Sequence, residues 1–140
     1  LNKRIGLFAF WSILCSCFLS GVWLKQEGDL TDNEINIVEI LLQSARDTNI
    51  NVASKAINGL ARSLQGKGKR FSKETIKQIL KITDNTLTRR HICFLTNLAF
   101  LYNELNKLEN LEEDQSLKIQ ETLTALNELP YANIRKELLS

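Results

Sequence analysis

Histidine and proline each occur once in this chain, at His91 and Pro130, and only one cysteine, Cys93, lies outside an apolar stretch near the N-terminus. Each scarcity excludes something. A catalytic or metal centre needs several donors converging on one point. His91 and Cys93 stand two residues apart, and such positions on a helix point in different directions, so they cannot chelate one ion together. Cys15 and Cys17 fail the same test. No Ser/His/Asp set can be assembled without His91, which sits beside Arg89 and Arg90 in a boundary setting. No cofactor or metal is therefore expected. One thiol forms no internal disulfide, so the part after the apolar stretch must rely on packing alone. No Asn-x-Ser/Thr acceptor occurs, which removes the signature of a glycosylated ectodomain and tilts the reading toward a bacterial envelope. No alternating Val/Ile/Thr run carries hairpin chemistry, so strands are not expected.

What the chain does have is a run of twenty uncharged residues, 5–24, reading IGLFAFWSILCSCFLSGVWL. Lys3 and Arg4 precede it and Lys25 follows. Twenty helical residues span about 30 Å, the thickness of a bilayer's hydrocarbon core. Trp23 suits the membrane–water interface, and the lysine and arginine balance puts the N-terminus inside. Residues 1–25 are thus expected to form a transmembrane anchor, 26–30 a spacer, and 31–140 an all-helical domain outside the cytoplasm, periplasmic in a bacterium. Two other readings stay open. One is a cleaved signal peptide, although bulky Phe18, Leu19, Val22 and Trp23 crowd the cleavage sites. The other is a lipoprotein signal: Leu14-Cys15-Ser16-Cys17 resembles a lipobox in which Cys17 would carry lipid. Ser12, Ser16 and Ser20 repeat every four residues, a face on which a second membrane helix could pack to give a homodimer.

Charge is unevenly placed. Residues 62–90 carry nine bases against Glu74 and Asp84, while the segments on either side are net acidic. Lys67, Lys69, Arg70, Lys73, Lys77 and Lys81 are the candidate contact residues for a protein partner with an acidic surface or for anionic lipid headgroups. Gly66-Lys67-Gly68-Lys69-Arg70 is not a phosphate loop, because Gly68 stands where Ser or Thr is needed and no strand precedes it. Nucleic acid is not an expected partner, since Phe71 alone interleaves the basic stretch.

The helices are marked by their caps. Thr31 and Glu34 form a capping box opening a helix to about residue 46, with Ile35, Val38, Leu41, Leu42 and Ala45 on one stripe and Ile37 and Ile40 widening it. A second helix is expected over 51–64. Ser72 caps a third, with Phe71 and Ile76 at hydrophobic-staple spacing and Lys73, Lys77 and Lys81 on an outward row. The fourth, expected over 86–108, is apolar on most of its circumference and should be the centre of the core. Asn110 with Glu113 would cap a fifth over 111–129, ended by Pro130, and a short helix would follow over 131–139.

The first helix pair resembles a HEAT repeat. Val38, Leu41 and Leu42 match the first helix, Asp47 stands five residues before Val52, and Ala56, Leu60 and Ala61 fill the small and apolar positions of the second. Ala53 stands where that family prefers an Arg that ties adjacent turns together. In a second unit Arg89-Arg90 falls where Val-Arg would be, and in a third Ile134-Arg135 and Leu138 correspond. The resemblance implies a short solenoid whose surfaces bind proteins and which carries no catalytic site. An irregular helical bundle is the alternative architecture. The expected function is a membrane-anchored helical interaction module, such as an adaptor, assembly factor or immunity-type inhibitor. Alternatives are a small subunit of a membrane complex, or an envelope hydrolase using Glu112, Glu113 or Asp114 with His91.

Overall fold

A computed structural model describes residues 28–84, 86–109 and 111–139. The apolar run, with Ser12, Ser16, Ser20 and Cys17, lies outside the described residues. Among the described residues all regular structure is helical: α1 Asp32–Ser44, α2 Ile50–Leu64, α3 Lys73–Thr83, α4 Ile92–Asn106, α5 Glu113–Asn127 and α6 Ala132–Leu139, with short 3-10 turns at Gly68–Arg70 and Thr86–Thr88. None of these helices is long and apolar enough to cross a membrane.

The caps act as their residue types dictate. Thr31 Oγ1 accepts from the Glu34 amide at 3.3 Å, and Glu34 Oε1 accepts from the Thr31 amide at 3.0 Å, which completes the capping box of α1. Asn49 Oδ1 accepts from the amides of Asn51 and Val52 at the start of α2. Ser72 Oγ accepts from the Thr75 amide at 3.1 Å, and the flanking Phe71 and Ile76 are both buried, as a staple requires.

α1 packs on α2, and α4 packs on both α2 and α6, with the most extensive interface between α2 and α4. α5 packs on α4 and α6 and touches α3. Ala53, Ala56, Gly59 and Ala61 are all buried and keep α2 slim where its neighbours approach. A Cβ on Gly59 would lie 3.0 Å from Leu41 Cδ2, so the α1–α2 approach also depends on that glycine. From α4 the core takes Phe94, Leu95, Leu98, Ala99, Leu101, Tyr102 and Leu105, all fully buried. α4 is therefore the central element, as its apolar circumference implied.

Four expectations about elements and faces are corrected. The fourth helix starts at Ile92, not at residue 86, because the chain before it is held elsewhere: Arg89 donates to Asp47 O at 2.9 Å and to Thr48 O at 3.3 Å and covers the Phe94 ring. It also ends earlier, at Asn106, and Leu108 tucks against Gly68 instead. α5 is capped by Glu112 with Gln115 in place of the expected pair, of which Asn110 lies outside the described residues. Ile35 is 40% exposed and leaves the stripe, while Ile37, Val38, Leu41 and Leu42 are buried in α1, with Ala45 buried at its C-cap.

A buried tyrosine hydroxyl is paired within the core. The Tyr102 hydroxyl is hydrogen-bonded to Thr83 Oγ1, which also lies 2.9 Å from Ile79 O. Burial pushes the Tyr102 hydroxyl above the ordinary tyrosine value, with the hydrogen bonds to Thr83 and Thr122 opposing in part. The folded state thus holds this proton more tightly than the unfolded chain does. Its contribution to stability is complete below pH about 10 and is lost as pH rises through the raised value. Lys118, held by Asp84 at 2.6 Å, is also raised and adds in the same direction. Urea titrations followed by circular dichroism should therefore show a midpoint that falls above pH about 10. In Tyr102→Phe that fall should be shallower, and the midpoint at neutral pH should drop by the equivalent of about 1 kcal/mol. An identical alkaline slope in both proteins would remove Tyr102 from the account.

Candidate functional site

The basic stretch 62–90 is divided by its surroundings. Gly66 takes φ +71°, a left-handed conformation that glycine adopts at no steric cost, and turns the chain out of α2. At Gly68 a Cβ would fall 2.0 Å from Leu108 Cδ2, so the 3-10 turn passes directly over the end of α4. This turn sends Arg70 inward and leaves Lys69 exposed.

Arg70 is 7% exposed, and so is Glu34. Its two terminal nitrogens grip the Glu34 carboxylate, Nη1 to Oε2 at 2.9 Å and Nη2 to Oε1 at 2.7 Å. Nη2 also donates to Asp29 O at 3.2 Å and Nε to Gly28 O at 3.4 Å. A planar fork matches a carboxylate in this bidentate way. Arg70 is therefore a buried tie between the α2–α3 turn, the start of α1 and the segment entering it. Its place among the exposed contact residues is corrected on that ground.

The other five bases stay at the surface to different degrees. Lys67 is half-buried, and Lys69, Lys73, Lys77 and Lys81 are exposed. In α3, Ile76, Ile79, Leu80 and Thr83 face the core. At 100° per residue the fourth-residue spacing then keeps Lys73, Lys77 and Lys81 on one outward row. Two hollows flank that row. A cleft of about 460 Å³ opens between the 66–71 turn, the start of α3 and the end of α4. It has Leu64, Phe71, Ile76 and Leu108 in its lining and is bordered by Lys69 and Lys73. Glu104 and Lys107, paired at 3.1 Å, also border it. A shallower groove of about 260 Å³ runs between α1 and α3, lined by Glu39, Leu42, Arg46, Gln78, Lys81 and Ile82.

The residues considered for hydrolysis are not brought together. His91 is the extended N-cap residue of α4, at the end where Arg89 meets Asp47 and Thr48. Glu112, Glu113 and Asp114 open α5, whose Gln115 lies in the cleft beyond the other end of α4. The fifteen residues of α4 correspond to about 22 Å of helix between those ends. Cys93 is exposed next to His91 on the α4 surface. Among the described residues no group of three or more His, Cys, Asp or Glu could hold a metal ion.

Sequence reasoning took Glu34 only as a cap and did not pair it with Arg70. It also gave Gln115 no role. Gln115 Oε1 accepts from the Glu112 amide at 3.2 Å, while its Nε2 donates to Lys73 O at 3.2 Å, which fixes the start of α5 against α3. The only signal in the sequence for the Arg70 tie was a base placed directly before a buried Phe71. Comparison with protein-family models, with curated proteins and with solved structures gave no match.

Proposed function

We propose that this chain is a membrane-anchored helical module that acts by binding another protein outside the cytoplasm. The anchor is the apolar run 5–24. The partner carries an acidic surface that meets α3. One observation carries the reading: Lys73, Lys77 and Lys81 stand in an exposed row, with a hollow on each side able to take a partner's side chains. Three like charges held in line, against the single acid Glu74 on that face of α3, favour association with a surface of opposite sign.

A HEAT-like arrangement is the architecture we favour for the domain. It is supported by the packing of α4 on both α2 and α6, by the contact of α3 with α5, and by Arg89, which reaches the Asp47-Thr48 turn of the preceding pair. That tie comes one position earlier than the resemblance implies, from the residue in the Val place. Such stacked pairs present continuous outer faces for binding.

The test compares affinity purification from native membranes using the wild-type chain and Lys73→Glu/Lys77→Glu/Lys81→Glu. Recovery of the partner should fall by about tenfold or more, because reversing rim charges turns attraction into repulsion. The far-UV spectrum should be unchanged, since all three side chains are exposed. Equal recovery from both at matched yield would overturn the assignment of this face.

A further inference from the structure

The apolar run ends at Leu24, and the described fold begins at Gly28, four residues on. Four residues reach at most about 14 Å when fully extended. The carbonyls of Gly28 and Asp29 both accept from Arg70. The point where the chain enters the domain is thereby fixed to the 66–70 turn, which carries Lys67 and Lys69. The opposite end of the α1–α2 pair, residues 45–49, lies a helix length away, about 20 Å for the thirteen residues of α1. The headgroup layer on each side of a bilayer is only about 5–8 Å thick. A tether this short, joined to this turn, leaves little choice about which end of the domain faces the lipid.

We propose that the 66–70 turn is the membrane-facing end of the domain and that Lys67 and Lys69 contact anionic phospholipid headgroups. The inference rests on the anchoring read for residues 5–24 and adds orientation and a lipid class to it. Charge supports it. Arg70 is neutralised internally by Glu34, so Lys67 and Lys69 are the other bases of the turn, with Glu104 and Glu109 the acids lining the cleft beside it. A lysine gains attraction to an anionic surface only within about a Debye length, near 8 Å in physiological salt. Lys81, eight residues beyond Lys73, is displaced about 12 Å along α3, which leaves the far part of the row for the protein partner.

The test uses the full chain with Cys15→Ala, Cys17→Ala and Cys93→Ser, and one fluorophore on either Gln65→Cys or Thr48→Cys, both exposed positions. The protein is reconstituted into phosphatidylcholine vesicles with or without about 30% phosphatidylglycerol and a headgroup-attached quencher. With phosphatidylglycerol, quenching at position 65 should exceed that at 48 by roughly threefold or more. That excess should shrink in pure phosphatidylcholine, in about 1 M salt and in Lys67→Gln/Lys69→Glu. Equal quenching at both positions in a chain that resists alkaline extraction would overturn the orientation alone. An excess indifferent to lipid charge, salt and the two lysines would overturn the headgroup contact. Extraction of the chain at alkaline pH would overturn the anchor and this inference together.

Discussion

Arg70→Ala should cost about 3–5 kcal/mol of stability, although the same change at the neighbouring Lys69 should stay within about 0.5 kcal/mol. The difference follows from where the two charges sit. Both members of the Arg70–Glu34 pair are more than nine-tenths buried, joined at 2.7 and 2.9 Å. Removing the guanidinium leaves a carboxylate more than nine-tenths buried without its charged partner. It also strips the hydrogen bonds to Gly28 O and Asp29 O and frees the entering segment from the 66–70 turn. Folded domains are stable by only about 5–15 kcal/mol, so a loss of this size lowers a urea midpoint by more than about 1 M. Replacing both partners by apolar residues, Glu34→Leu with Arg70→Met, should recover much of the loss, because a buried pair often contributes little beyond a hydrophobic substitute. Recovery will be incomplete, since Glu34 also closes the capping box with Thr31. Urea unfolding of the four proteins, followed by helix signal, decides the matter. A cost for Arg70→Ala no larger than for Lys69→Ala would show that the pair holds nothing together.

Phe94→Ala should be as severe, about 3–5 kcal/mol, while Cys93→Ala next to it stays within about 0.5 kcal/mol. Phe94 is fully buried in α4, and Cys93 is exposed. The lost ring leaves a cavity that the surrounding helices can close only in part. It also removes the surface over which Arg89 lies, 5.0 Å from the ring centroid. That contact is worth about 0.5–1 kcal/mol by itself. A double-mutant cycle between Arg89→Ala and Phe94→Ala should return a coupling of that order. Zero coupling would mean that Arg89 is held solely by the carbonyls of Asp47 and Thr48.

Much of the helical plan was open to pattern reading. The Thr31–Glu34 box, the Ser72 cap, the Phe71–Ile76 staple and the four-residue lysine row are all local. Each depends on residues within one or two turns, where side-chain chemistry and helix geometry act without reference to the rest of the chain. The apolar circumference of α4 likewise announced a buried central helix. What local chemistry could not supply was the fate of Arg89 and Arg70. A charge strip reads the same in sequence whether a base meets solvent or a carboxylate thirty-six residues away. Arg89 displaces the start of α4 through bonds to a turn more than forty residues earlier, and no periodicity records that.

The amino-acid order thus determined an all-helical domain, its caps, its central helix and the outward face of α3, because those follow from short-range geometry and from the burial of apolar stripes. Tertiary structure alone decided that Arg70 belongs to Glu34, that Gln115 bridges α5 to α3, and that His91 and the acids of α5 stand a helix apart. These are distances between segments remote in sequence, and they are set by how whole helices pack.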